Sequence, residues 1–425
     1  MFGWEYSPRI SGGLGTACSG LCAALCQLGH EILFVTPGLI ATEGQSPVRF
    51  ISPAAAMKAS EETSSAIKPF EEAYIIQRLR SCTLSSPLSP YLSRQQYQLH
   101  RGKDVQQYAE MYGPDLFSEV GRYSEWATSV AATENFDIIH SHDWMTILAA
   151  LNARRITGKP FILHIHALEW DRAGDDGDPL IYDLEHYGMV QADHIISVSH
   201  YTKRIICEHY GIDPGKITVI HNAVADTRMG RSEEMVPCSG DRNVLFLGRI
   251  TYQKGPEYFV KAAAIVREAL PDVRFIMVGD GDLMPRIREL VSELGLEDHF
   301  LFTGFLDYAE VEQMFNMSDL YVMPSVSEPF GIAPLEAILC NVPVIISRQS
   351  GVTEVLHHAL TVDFWDVEDL AYKIIAVLTL PDLARQIVTH SQEEIRNLQW
   401  KQAALKIVDV YEYLALNQWL PLKHA

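Results

Sequence analysis

Apolar and polar positions follow a two-beat pattern along most of the chain. Short apolar runs alternate with longer stretches in which apolar residues recur every three to four positions. The runs predict buried strands and the longer stretches predict helices. Residues 1–5 give a short first strand, and Ile10-Ser-Gly-Gly-Leu-Gly15 opens a helix running to about Gln27. Strands follow at 31–35, 136–142, 161–166, 192–199 and 217–220, with helices at 117–133 and 146–155. Residues 38–115 lose the rhythm, and the Ser- and Pro-rich segment 81–93 predicts loop. A polar stretch over 226–242 predicts a linker. A second alternating set then begins, with strands at 243–248, 273–278, 300–303, 320–323 and 342–346, and helices at 367–379, 382–397 and 400–417. Strands that alternate with helices form parallel sheets through right-handed crossovers. The expected fold class is therefore α/β, as two doubly wound halves facing each other across a cleft. Ligands in such sheets sit beyond the carboxyl ends of the strands.

The most informative stretch is Ser325-Val-Ser-Glu-Pro-Phe-Gly-Ile-Ala-Pro-Leu-Glu336. It leaves the apolar strand Leu320-Tyr-Val-Met-Pro324 and enters a helix, with Pro334 suited to the first turn. A strand, a tight loop and a helix start present free backbone N–H groups to an anion. Glu328 and Glu336 flank the loop. A carboxylate accepts two hydrogen bonds side by side, which suits the vicinal diol of a ribose or sugar. Phosphate between two diols describes a sugar nucleotide. Alone, this pair of glutamates does not exceed an ordinary solvated loop.

Further candidates sit at other strand exits. Gly248-Arg249 ends one strand, and Lys254-Gly255 precedes a helix at Pro256. A guanidinium fork with an ammonium suits a diphosphate and stabilises its charge on departure. The glycines Gly12 and Gly13 let backbone approach a phosphate or sugar closely. His140 and His142 share one face of a strand, as do His164 and His166. A zinc site could be built from such pairs, but satisfied core or cleft histidines are the simpler reading. Asp176-Gly-Asp178 and Asp280-Gly-Asp282 fit Asp-x-Asp, yet turn chemistry accounts for both, so no metal is expected.

Composition narrows the field further. Of 425 residues, 48% are hydrophobic and 21% charged, an ordinary balance for two or three globular domains. Lys+Arg 34 against Asp+Glu 54 gives a net charge of −20, which disfavours nucleic acid and anionic membranes as main partners. No run reaches the ~20 apolar residues of a membrane span, and no signal peptide precedes the first strand. The expected location is the cytoplasm. Seven Cys suggest no disulfide framework. Cys18, Cys22 and Cys26 form one helix stripe that reads as packing.

Together, Ser11-Gly-Gly-Leu-Gly15, His140-Ser-His-Asp-Trp144, the His166 strand exit, His221-Asn-Ala-Val224, Gly248-Arg249 with Lys254-Gly255, Val278-Gly-Asp-Gly281 and the E-x7-E spacing of Glu328 and Glu336 are distinctive. The chain resembles the retaining glycosyltransferases of family four and the related glycogen and starch synthases over nearly its whole length. The resemblance implies the GT-B arrangement of two facing Rossmann-like domains. Residues 1–221 would hold the acceptor, completed by a returning helix within 400–425, and 222–399 would hold the donor. It implies that Glu336 binds the ribose, Glu328 and the amides after Phe330, at Gly331 and Ile332, meet the donor sugar, and Arg249 and Lys254 hold the diphosphate. Gly13, beside Gly12, would lie on the donor phosphate, His166 at the reacting face, and Asp143 against the sugar. Transfer in this family retains the α-configuration without metal or other cofactor. The donor would be an ADP- or UDP-linked hexose, and the acceptor a glucan or other sugar. Synthases of the bacterial glycogen type carry Lys two residues before the paired glycines, where this chain has Ile10 beside Arg9. The segment His166-Ala-Leu-Glu-Trp-Asp-Arg172 resembles the synthase-like branch. Other readings are a lipid or small-molecule acceptor, a nucleotide-sugar epimerase of the same architecture, and a non-catalytic sugar-nucleotide sensor.

Overall fold

The computed structural model describes residues 1–6, 12–36, 48–51, 116–224 and 242–417. Arg9, Ile10, Ser11, most of the 38–115 segment and nearly all of the 226–242 linker lie outside the described residues.

The N-terminal half contains α1 (Gly13–Gln27), β1 (Leu33–Val35), β2 (Arg49–Ile51), α2 (Leu116–Thr133), β3 (Ile139–His142), α3 (Ile147–Thr157), β4 (Phe161–Ile165), α4 (Glu169–Ala173), α5 (Pro179–Gln191), β5 (His194–Ser197), α6 (His200–Tyr210) and β6 (Ile217–Val219). Strands β3 to β6 run parallel in sequence order. Phe2 bridges Val35 on one side and Ser141 on the other, so it stitches the β1–β2 pair onto β3. The expected first strand is thus reduced to one bridging residue. Strands β3, β4 and β5 are buried throughout. Parallel strands covered on both faces read as continuous apolar runs, and these were the runs visible in the sequence.

The C-terminal half contains β7 (Arg242–Leu247), α7 (Pro256–Ala269), β8 (Val273–Val278), α8 (Met284–Glu293), β9 (Phe300–Gly304), α9 (Tyr308–Asn316), β10 (Leu320–Met323), α10 (Ala333–Leu339), β11 (Val344–Ser347), β12 (Leu360–Val362), α11 (Val367–Thr379) and α12 (Pro381–Ile395). Its six parallel strands lie in the order β12-β11-β10-β7-β8-β9. The order reverses between β7 and β10, and a crevice opens at such a switch point. The loops carrying Arg249 and Glu328 leave those two strands.

The last helix, α13 (Trp400–Asn417), leaves the C-terminal half. Val224 N donates to Leu398 O where the chain crosses back. Trp400, Ala404, Ile407 and Leu414 enter one apolar core with Leu14, Leu21 and Leu25 of α1. Trp400 packs so tightly on Gly20 that a Cβ there would lie 2.4 Å from its ring. The helix is therefore part of the N-terminal half. No helix among the described residues is long and apolar enough to cross a membrane.

Candidate active site

The site begins with the loop after β7. Gly248 starts it, and a turn through Tyr252–Lys254 leads to Gly255. Gly255 has φ +65°, and a Cβ there would sit 2.1 Å from Pro324 O. Only glycine fits that conformation and that approach. The close packing seats the loop against the end of β10. Gln253 seals the seam, because Val326 N donates to its backbone O at 2.8 Å.

Lys254 and Glu328 meet there. Lys254 Nζ lies 2.5 Å from Glu328 Oε2, and Ser325 Oγ donates to the same oxygen at 3.2 Å. The lysine and glutamate side chains are 20% and 8% exposed, so the pair is largely shielded from water. Arg249 Nη2 donates to Gln253 Oε1 at 2.9 Å, which ties the guanidinium to the residue that precedes Lys254. Glu336 lies in the first turn of α10, half-buried. Tyr321 senses both acids: burial first, then the charges of Glu328 and Glu336, push its phenol well above the ordinary value. Phe330 and Ile332 are buried between them, and Gly331 has φ +101°. The structure thus gathers Arg249, Lys254, Glu328, Phe330, Gly331, Ile332 and Glu336 around one switch point.

The N-terminal half supplies the opposite wall. Gly12 caps α1 and Gly13 begins it. Glu5 reaches this helix start, and a Cβ on Gly12 would lie 2.8 Å from Glu5 Oε2. Burial pushes the Glu5 carboxyl up to about 8, opposed by the charge of Arg249 from the other half. Nothing in the sequence singled out Glu5; its neighbour Trp4 and a one-residue bridge gave no signal.

Asp143 leaves β3 with φ 57°, a conformation costly for a residue with a Cβ. Its Oδ1 accepts from His166 N at 2.6 Å and Ala167 N at 3.2 Å. Asp143 therefore fixes the backbone at the exit of β4, where His166 sits 9% exposed. Burial raises its carboxyl to about 6, offset by Arg172 and those two amides.

The four histidines form a buried stack on one sheet face. His142 Nδ1 lies 3.0 Å from His166 Nε2, His140 Nε2 3.2 Å from His164 Nδ1, and His140 Nδ1 2.7 Å from Tyr411 Oη. The expectation of satisfied histidines holds only in part, because His142 Nε2, His164 Nε2 and His166 Nδ1 are buried with no hydrogen-bond partner. Burial holds His166 down at about 3 and His142 well below its ordinary value, so both stay neutral. The Asp-x-Asp turns serve the fold. Asp178 caps α5 through Leu180 N, and Asp280 Oδ1 accepts from Gly281 N.

Contacts between the halves lie beside this site. Ser327 Oγ donates to Asp171 Oδ1 at 2.6 Å, and Tyr201 Oη lies 3.0 Å from the same serine. Ser199 Oγ donates to Pro329 O at 2.6 Å. Glu354 accepts from His200 N, Tyr201 N and His221 Nε2 at 2.9, 2.8 and 2.7 Å. Its position at the start of α6 favours an anion. These pairings were not anticipated, since each is separated by more than 120 positions.

Comparison with known proteins agrees with this architecture. Residues 86–228 match the model described as Glycosyltransferase Family 4, and residues 235–394 match Glycosyl transferases group 1. An uncharacterized glycosyltransferase of Methanocaldococcus jannaschii is 26% identical over 97% of both chains. The glycogen synthase of Mycobacterium tuberculosis is 23% identical, covering 97% of this chain and 93% of its own. The sucrose-phosphate synthase structure from Thermosynechococcus elongatus superposes with a TM-score of 0.74 at 19% identity, over 98% of each chain. Two family models side by side, on two facing Rossmann-like halves, mark the chain as a member of the GT-B glycosyltransferases.

Proposed function

We propose that the protein moves a glucosyl group from an ADP- or UDP-linked sugar to an α-glucan, in the cytoplasm, with retention of the α-configuration and without a metal ion. The observation that carries this reading is the meeting of Lys254 with Glu328 at the β7–β10 switch point, with Arg249 on the same loop as Lys254 and Glu336 in the helix that follows Glu328. A diphosphate placed there meets two cations, and the leaving charge is stabilised as it develops. Glu336 accepts from the ribose hydroxyls, and Glu328 with the Gly331 and Ile332 amides holds the donor sugar. Gly12 and Gly13 bring the α1 start against the phosphate. His166 and Asp143 close the reacting face from the N-terminal half. The likeness to a glycogen synthase over nearly the full chain supports the glucan acceptor.

Thermal unfolding with uridine, adenosine and guanosine diphosphate sugars tests the donor. A true donor at 100 times its dissociation constant adds about 2.7 kcal/mol of stability. The stabilising donor is then incubated with glycogen in excess chelator, and the anomer of the new linkage is read by NMR. Transfer only to a lipid or small molecule would replace the glucan reading. A β-linkage, or activity that needs added manganese, would overturn the retaining, metal-free chemistry.

A further inference from the structure

The histidine stack behind His166 has a protonic arrangement that the fold itself dictates. His142 and His166 stand on adjacent parallel strands and share one hydrogen bond, Nδ1 to Nε2 at 3.0 Å. Two neutral imidazoles carry two N–H protons. One lies in the shared bond. The other must sit on an outer nitrogen, either His142 Nε2 or His166 Nδ1, and both are buried without a partner. These two places are not equal. His142 is 1% exposed, between the rings of Phe34 and His140. His166 is 9% exposed at the carboxyl end of β4, the end of a parallel sheet where ligands bind. A stranded N–H costs about 1–3 kcal/mol, and at His142 Nε2 no ligand can relieve that cost. The proton therefore belongs on His166 Nδ1, with His142 Nδ1–H donating into His166 Nε2.

We propose that His142 is a positioning residue that locks His166 in its Nδ1–H tautomer, so that His166 meets the substrate as a hydrogen-bond donor. This rests on the placement of His166 at the reacting face. The backbone of His166 is already fixed by Asp143, so the ring tautomer is the freedom that remains for His142 to set.

The same rings could be considered as a metal site, because nitrogens of His140, His142 and His164 lie within 4.8 Å of one another. Their geometry opposes it. The ring planes are nearly parallel, at interplanar angles of 19°, 28° and 31° and centroid separations of 4.7, 5.3 and 5.4 Å, and His140 Nε2 is turned onto His164 Nδ1 at 3.2 Å. Ligands of one tetrahedral ion must aim their lone pairs at a point about 2.1 Å from each nitrogen. Here both nitrogens of His140 are engaged instead, Nδ1 with Tyr411 Oη at 2.7 Å and Nε2 with His164 Nδ1.

The test uses the full-length protein with ring-15N-labelled histidine. The His166 signals are identified by their loss in His166→Ala. The expected spectrum shows His166 protonated at Nδ1, and in His142→Leu this changes to the Nε2–H form or to an average of both. A wild-type His166 protonated at Nε2 overturns the proposal. Kinetics use transfer from UDP-glucose or ADP-glucose to glycogen, or hydrolysis of that donor. His142→Leu should lower kcat about 10- to 100-fold with KM little changed. His142→Asn, whose amide N–H falls where ring Nδ1–H stood, should recover most of that loss, and His142→Gln should not. Equal activity of the Asn and Gln variants overturns the proposal, even if the Leu variant does not fold. Full activity of His166→Ala would instead sink the placement of His166 at the reacting face, while the spectrum still decides the tautomer.

Discussion

Lys254→Met removes the cation from a carboxylate that has little else to lean on. Glu328 is 6% exposed, and its remaining hydrogen-bond donor is Ser325 Oγ at 3.2 Å. Breaking a fully buried pair costs about 3–5 kcal/mol. Here the lysine side chain is 20% exposed, so water recovers part of that, and the expected loss is about 2 kcal/mol. In a folding unit of about 150–250 residues each kcal/mol moves Tm by about 2–4 °C, so the unliganded variant should melt about 4–8 °C lower. Adding Glu328→Gln removes the stranded charge and should return most of that loss, a coupling of at least about 1 kcal/mol in the double-mutant cycle. Transfer behaves oppositely. Each single variant should lose at least about 100-fold in kcat, and the double variant should not recover it. Scanning calorimetry and the donor–glycogen assay read the two effects separately. Wild-type melting and wild-type turnover in Lys254→Met would refute the reasoning.

Other perturbations follow from the same geometry. Burial raises the Glu354 carboxyl, but the hydrogen bonds from His221, His200 and Tyr201 outweigh it, so its value is lowered overall. Its contribution is complete above the unfolded value near 4.3 and is lost as pH falls through the lower folded value; the urea midpoint should drop over that acid window in the wild type and less steeply in Glu354→Gln. Glu5 shows the reverse sign. With a folded value of about 8, it holds a proton that the unfolded chain has released, so stability should fall as pH rises from about 4.3 to 8, and Glu5→Gln should flatten that slope. Gly255→Ala forces a side chain into φ +65° and against Pro324 O; a loss of at least about 2 kcal/mol is expected, together with loss of donor-induced stabilisation in the same melting assay.

Much of the architecture was legible because parallel strands buried on both faces need uninterrupted apolar runs. The run 320–323 became β10 residue for residue. Strands of three residues carry too little pattern to read: β2 lies inside the 38–115 stretch where the rhythm is lost, and β12 had no signal at all. The loops that deliver Arg249, Lys254, Glu328 and Glu336 were legible because charged residues at strand exits interrupt apolar sequence. Their distances were not, since the switch point depends on strand order. Glu5 and Glu354, and the contact of Asp171 with Ser327, were silent for a related reason: each is an ordinary polar residue until a partner from the other half arrives. The histidines advertised their shared faces by period-two spacing, but Tyr411, which ends their stack, lies 271 positions from His140.

Trp400 and the rest of α13 have a consequence for biosynthesis. Helix α1 leaves the ribosome well before Trp400–Asn417 and must wait for that helix before its apolar surface is covered. Until α13 has been made, that surface is open to chaperones or to aggregation. A stop codon placed just before Trp400 should therefore yield insoluble product, although it spares every residue gathered around the β7–β10 crevice.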